Sequence, residues 1–263
     1  MAAMETITVE QDARGVARLS LARVDKRNAL SAAMMDEIHA AILQLGADPA
    51  VRVVILAAEG PVFCAGGDLG WMQRQIEADA ATRAGEAGRL AQMLQALNTC
   101  PKPVIGRIHG NAFGGGVGMM AVCDVAVGAT GASFGLTETR LGLIPATIGP
   151  YVVARMGEAR ARRVFMSARL FDAAEAVELG LLARAVAPEA LDAAIEAEVV
   201  PYLATAPGAV AEAKALIRRL APGVDEDAIA ASIAALVKRW EHDEAAEGIA
   251  AFFEKRPASW VRA

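Results

Sequence analysis

Three groups in the sequence have the makings of a reaction site: the pair Gly66-Gly67, the run Gly114-Gly115-Gly116 and the carboxylate of Glu138. Glycines carry no side chain to block a ligand, so their backbone N–H groups approach it closely, and they tolerate φ values that other residues avoid. Each glycine group stands between an apolar run and a helix-like segment, so its N–H groups lie at the positive end of a helix dipole. That place suits negative charge, on a phosphate or on an oxygen that becomes anionic during reaction. Two loops that each aim one N–H at a common point make an oxyanion hole, in which one donor is worth about 10²–10³ in rate. Glu138 falls in a mostly apolar stretch. Desolvation there should raise its pKa, which suits acid–base work. A plainer reading has the glycines shaping tight turns and Glu138 on the surface. The two loops and the glutamate together, in this order, favour a site.

Other chemistries find no support. Neither loop fits G-x-G-x-x-G, and no G-x-x-x-x-G-K-[ST], G-x-S-x-G or H-E-x-x-H occurs. His109, at a strand end before Gly110, reads as a hydrogen-bonded structural histidine. Cys64, Cys100 and Cys123 are odd in number and lack C-x-x-C spacing, which argues for reduced thiols, a cytoplasmic setting and no metal. Cys64 reads as a small buried hydrophobe.

Behind these groups stand elements able to hold them. Thr6 to Glu10 and Val16 to Leu21 alternate as a β-hairpin. Ser31 can cap a helix whose Met35, Ile38, Ala41, Ile42 and Leu45 share one face, with His39 off that stripe and Asp48-Pro49 ending it. Val51 to Ala57 reads as a strand buried on both faces, leading into the first glycine loop. Pro103 to Gly116 repeats strand, glycine loop and helix, which predicts an α/β core with both loops on one sheet edge. Asp124 to Gly128 and Ala183 to Ala187 read as further strands. The segment from Trp71 to Leu97 contains Gly85 and Gly88, which predict a broken helix or loop there. Short helices follow Pro145, and beyond Pro188 everything reads as helix, divided at Pro207-Gly208 and Pro222-Gly223. This divides the chain into a core, 1–200, and a helical region, 201–263, that reads as a lid or an oligomerisation element.

Composition narrows the partners. A chain of 263 residues has ample length for a core. A net charge of −5 lacks the basic surplus that a nucleic-acid partner favours. No run of about 18 apolar residues predicts a membrane span, and the N-terminal stretch lacks the basic-then-apolar order of a secretory signal.

Taken together, the motifs resemble the enoyl-CoA hydratase/isomerase (crotonase) family over nearly the whole chain. Asn28-Ala29-Leu30 resembles its N-A-L signature, and Ala65-Gly66-Gly67-Asp68-Leu69 its A-G-x-D-L loop. Gly110 to Gly116, with Cys123-Asp124 after it, resembles its G-x-x-x-G-G-G segment. Phe134 to Glu138 and Leu141 to Pro145 resemble its F-G-x-x-E-x-x-L-G-x-x-P, and Glu247 to Arg256 its C-terminal E-G-x-x-A-F-x-E-K-R. The resemblance implies an α/β fold, a spiral of ββα units with a helical C-terminal trimerisation region, as a homotrimer or dimer of trimers. It implies an acyl-CoA thioester substrate, with coenzyme A part of that substrate and no separate cofactor. Gly67 and Gly115 would be the oxyanion donors and Glu138 the acid–base. Arg23, Lys26, Arg27, Ala29, Ala65, Asp68, Leu69, Gly114, Thr137 and Lys255 would contact the substrate.

In one place the sequence departs from the pattern. The family's two-carboxylate hydratases carry a glutamate two residues after the position of Gly116; here Gly118 stands there. Three readings stay open. The first is a hydratase of branched or carboxylated 2-enoyl-CoAs of the methylglutaconyl-CoA or isohexenylglutaconyl-CoA type, which are similar in Gly114-Gly115-Gly116-Val117-Gly118, around Trp71 and from Pro145 to Tyr151. The second is a Δ3,Δ2-enoyl-CoA isomerase with Glu138 alone as acid–base. The third is a catalytically silent acyl-CoA binder. A hydroxyl, a held water or a carboxylate on the substrate are the candidates to replace the missing glutamate. The first reading is preferred, because its likeness runs through three segments.

Overall fold

The computed structural model describes residues 4–221 and 223–262. Met1 to Ala3, at the start of the stretch read as lacking a secretory pattern, and Pro222, one of the expected helix breakers, lie outside the described residues. The hairpin forms as expected, from β1 (Ile7–Gln11) and β2 (Val16–Leu21). After it come α1 (Ala32–Ala47), β3 (Val53–Ala58), α2 (Leu69–Glu77), α3 (Ala80–Thr99) and β4 (Val104–Ile108). The middle of the chain holds β5 (Ala112–Phe113), α4 (Gly115–Val122), β6 (Val125–Ala129) and β7 (Ser133–Gly135). Then follow α5 (Gly149–Met156), α6 (Glu158–Phe165), β8 (Leu170–Asp172), α7 (Ala173–Glu178) and β9 (Arg184–Val186). The tail is helical: α8 (Leu191–Leu203), α9 (Pro207–Leu220), α10 (Glu226–Trp240) and α11 (Asp243–Phe253).

A large sheet runs β1-β2-β3-β4-β6-β9, parallel except for the hairpin, and a small one runs β5-β7-β8. Successive turns of the chain stack in register: Cys64 bridges Ala112, Ala112 pairs with Phe134, and Phe134 with Phe171. This stacking makes the spiral. Leu30 likewise bridges Gly67, which ties the first glycine loop to the segment before α1.

Apolar patterning fixes the layers. The predicted stripe of α1 is buried, and Ser31 caps the helix by accepting from Met34 N. Val54 and Leu56 face the main core with Phe63, Leu94 and Met120, while Val53, Ile105 and Val127 face α8 through Ile195 and Val199. Both faces of β3 are therefore covered, as a continuous apolar run requires. The segment after Trp71 departs from expectation. It breaks at Ala78-Asp79, where Asp79 accepts from Thr82 N at 2.8 Å, and α3 runs straight through Gly85 and Gly88. Exposed Gly85 and half-buried Gly88 cost the helix about 1 kcal/mol each against alanine, and the Asp79 cap together with the packing of α3 on α1 and α10 holds it.

Helix α9 buries none of its residues, and Leu216, Ile217 and Leu220 are exposed on it. Helix α10 packs on α3, and α11 packs on the 3-10 turn Glu138–Leu141. The backbones meet so closely that a β-carbon on Gly248 would lie 2.4 Å from the Leu141 carbonyl carbon. Among the described residues, no helix is long and apolar enough to cross a membrane.

Candidate active site

The two glycine loops converge. Leu30 N donates to Gly66 O at 2.8 Å, and Phe113 N donates to Cys64 O at 2.9 Å, so each loop is anchored through its neighbour in the stack. Gly114 caps α4 with φ +49° and ψ −115°, a conformation that side-chain-bearing residues rarely adopt. A β-carbon built there would lie 3.0 Å from Glu138 Oε1 and 3.9 Å from Gly66 Cα. The first loop, the second loop and the carboxylate thus meet at one point.

Gly114 N donates to Gly135 O at 3.0 Å and is spent on the fold. Among the described residues, the N–H groups of Gly67 and Gly115 donate to no backbone or side-chain acceptor. Gly115 opens α4, so its N–H is one of the first-turn donors without an intrahelical partner. Both glycines line a cavity of about 490 Å³.

Glu138 opens the 3-10 turn and lines the same cavity. Its Oε2 is buried with no hydrogen-bond partner. Burial pushes its pKa up to about 7, as its apolar surroundings predict. Among the cavity-lining residues it is the one carboxylate. Thr137, Arg140 and Thr147 also line it, and the rest of the wall is largely apolar, with Trp71 and Met72 from α2, Leu90 from α3, Ile148, Trp240 from α10 and Phe252 from α11. The Trp71 indole is held by Nε1 donating to Glu86 Oε2 at 2.7 Å.

Of the residues expected to contact substrate, Ala65, Leu69, Gly114 and Thr137 line the cavity beside Gly67, Gly115 and Glu138. The others do not. Arg23 pairs with Asp68 at 3.0 Å and donates to Ala29 O at 2.7 Å, while Asp68 Oδ1 caps α2 through Trp71 N at 3.0 Å. These two charges brace the first loop. Lys26 and Arg27 are exposed on the 3-10 turn Val24–Lys26 and its cap, and the Arg27 carbonyl accepts from Ala65 N at 3.0 Å. Lys255 is exposed, three residues beyond the cavity-lining Phe252. His109 meets Gly60 O at 2.7 Å through Nε2, a structural contact, and burial pushes the Cys64 thiol up to about 12, leaving it inert.

Sequence reasoning missed Thr147, Leu236 and Trp240 as cavity residues, and Ile148 as the side chain facing Gly118. Thr147 and Ile148 stood inside a recognised segment without a role. The others come from a tail distant in sequence, and no local pattern marks them.

Comparison with known proteins agrees with this architecture. The family model described as enoyl-CoA hydratase/isomerase matches residues 11–262. An enoyl-CoA hydratase of Alternaria alternata is 34% identical over 206 residues, 78% of this chain and 67% of that protein. The mitochondrial methylglutaconyl-CoA hydratase of Mus musculus is 31% identical, over 95% of this chain and 80% of its own length. A crystal structure of an enoyl-CoA hydratase from Mycobacterium avium is 34% identical and superposes with a TM-score of 0.85, covering 97% of this chain and 99% of that one. Motif order, strand stacking and near-complete coverage converge on one conclusion: the chain belongs to the enoyl-CoA hydratase/isomerase family, whose members act on acyl-CoA thioesters.

Proposed function

We propose that the protein is a hydratase that adds water across the α,β double bond of a branched or carboxylated 2-enoyl-CoA. The observation that carries this reading is the Glu138 carboxyl group against the Gly114 backbone, beside two loops with unspent N–H groups at Gly67 and Gly115. In this mechanism the thioester oxygen accepts from both N–H groups. As water adds at the β-carbon, the electron pair of the double bond moves into an enolate whose charge those donors stabilise. Glu138, protonated near neutral pH, gives its proton to the α-carbon. The proton released by water restores the acid. The mouse relative's name supports a branched, carboxylated acyl group.

The single carboxylate also favours the isomerase reading, in which Glu138 as carboxylate carries a proton from the α- to the γ-carbon. Exposed Lys26, Arg27 and Lys255 are offered as partners of the coenzyme A phosphates. Residues 201–263, with the exposed apolar residues of α9, are offered as the region that joins copies in a trimer or dimer of trimers.

The test uses purified protein with 3-methylglutaconyl-CoA, crotonyl-CoA and a 3-enoyl-CoA in separate assays. Loss of conjugated thioester absorbance with either of the first two supports the hydratase. Conversion of the 3-enoyl-CoA alone transfers the assignment to the isomerase. Binding without turnover of any makes the protein an acyl-CoA binder.

A further inference from the structure

The cavity holds a second buried polar atom without a partner. Thr147 is 4% exposed, lines the cavity that Glu138 lines, and its Oγ1 has no hydrogen-bond partner. Leaving a hydroxyl buried and unpaired costs about 1–3 kcal/mol. An ordinary structural use is at hand and not taken. Threonine favours helix N-termini, yet α5, which opens two residues later, receives no side-chain cap at its N-cap Ile148. The backbone holds the turn instead, with Ala146 N donating to Ile144 O and Gly149 N to Ala146 O, each at 2.8 Å.

The next residue explains why a hydroxyl matters here. A β-carbon on Gly118 would lie 2.5 Å from Ile148 Cγ2 and 3.0 Å from Ile148 Cβ. The turn that closes the path of any side chain from position 118 is the turn that presents Thr147 to the cavity.

We propose that the Thr147 hydroxyl holds the water that attacks the β-carbon, in place of a second carboxylate. This inference rests on the hydratase reading above. Threonine is far too weak a base to ionise water. Its Oγ1 accepts one water hydrogen and fixes the oxygen toward the β-carbon; the C–O bond forms, Glu138 then protonates the α-carbon of the enolate, and the extra proton still held on the new C–O oxygen passes to the Glu138 carboxylate so formed. Atoms balance: one water is consumed, the C=C π bond and one water O–H bond break, one C–O and one C–H bond form, and Glu138 ends as it began.

The experiment compares wild type with Thr147→Val, Thr147→Ala and Thr147→Ser in two assays. The first is hydration of 3-methylglutaconyl-CoA and crotonyl-CoA. The second is deuterium exchange at the α-carbon of butyryl-CoA in D2O. Exchange needs Glu138 and the two N–H donors but no added water. For both hydroxyl-free variants, kcat for hydration should fall ~10–100-fold, the effect of one hydrogen bond in a transition state. Exchange and KM should stay within about threefold, and the serine variant should hydrate within about threefold of wild type. Equal losses in hydration and exchange, or undiminished hydration in a folded hydroxyl-free variant, overturn the role of Thr147 and leave the hydratase standing. A wild type that exchanges deuterium and hydrates neither substrate overturns the hydratase reading and the water site with it.

Discussion

Ile148 fills the space in front of Gly118: its Cγ2 would be 2.5 Å from a β-carbon at that position, and Leu94 Cδ1 would be 3.6 Å away. The glutamate missing from the sequence is therefore not simply deleted; its place is taken. Ile148 Cβ, which no side-chain rotation moves, would itself lie 3.0 Å away. Gly118→Glu alone should destabilise the protein by about 1–3 kcal/mol through overpacking, more if the carboxylate ionises there. Hydration should not rise. Adding Ile148→Ala to Gly118→Glu should return part of the melting temperature. A stable Gly118→Glu protein with faster hydration would show that the path is open.

The raised pKa of Glu138 gives the two catalytic readings opposite pH profiles. Hydration needs the protonated acid, so kcat/KM for a 2-enoyl-CoA should fall as pH rises through about 7. Isomerisation needs the carboxylate to remove an α-proton, so kcat/KM for a 3-enoyl-CoA should rise through about 7. Measuring both from pH 5.5 to 8.5, roughly 1.5 units either side, separates them on one preparation.

What the sequence revealed and what it hid have physical causes. The strand of Val53 to Ala58 was legible as an unbroken apolar run, since both its faces are buried, and the stripe of α1 through its helical period. The loops at Gly66-Gly67 and Gly114 to Gly116 and the acid Glu138 stood out because loop glycines and an acid in apolar surroundings are unusual in themselves, whereas only the family resemblance singled out Gly67 and Gly115 within the loops. The strands β5, β7 and β8 span two or three residues and carry no period. Trp240 reaches the cavity only because α10 and α11 fold back over the Glu138 turn, a contact between residues about a hundred positions apart. For Asp68 the motif marked a substrate contact, and the structure shows what the motif did not: its carboxylate engages Arg23 and the start of α2.

That engagement can be separated from a substrate contact. Asp68→Asn keeps a capping side chain and loses the charge facing Arg23, whereas Asp68→Ala loses both. An N-cap is worth about 0.5–2 kcal/mol, so thermal melting should rank wild type above the asparagine variant and that above alanine. KM should move little where the protein stays folded. Unchanged melting with a KM raised about tenfold, some 1.4 kcal/mol of binding, would instead make Asp68 a substrate ligand.

Glu138 itself should show a cost to the fold that its chemistry exacts. In the unfolded chain it titrates near the ordinary glutamate value of 4.5, and in the fold near 7. Between those values the native state holds a proton that the unfolded state has released, so stability falls as pH rises through this window and levels off above it. A rise from 4.5 to about 7 corresponds to about 3 kcal/mol at most. Glu138→Gln removes the ionisable group and keeps the shape. It should lower turnover by ~10²–10⁴, as loss of a general acid–base group does. It should also melt higher than wild type at pH 8 and close to wild type at pH 4.5, where the carboxyl is protonated in the fold. Equal melting shifts at both pH values would mean that the carboxyl ionises at no cost, and the buried acid on which hydration depends would be absent.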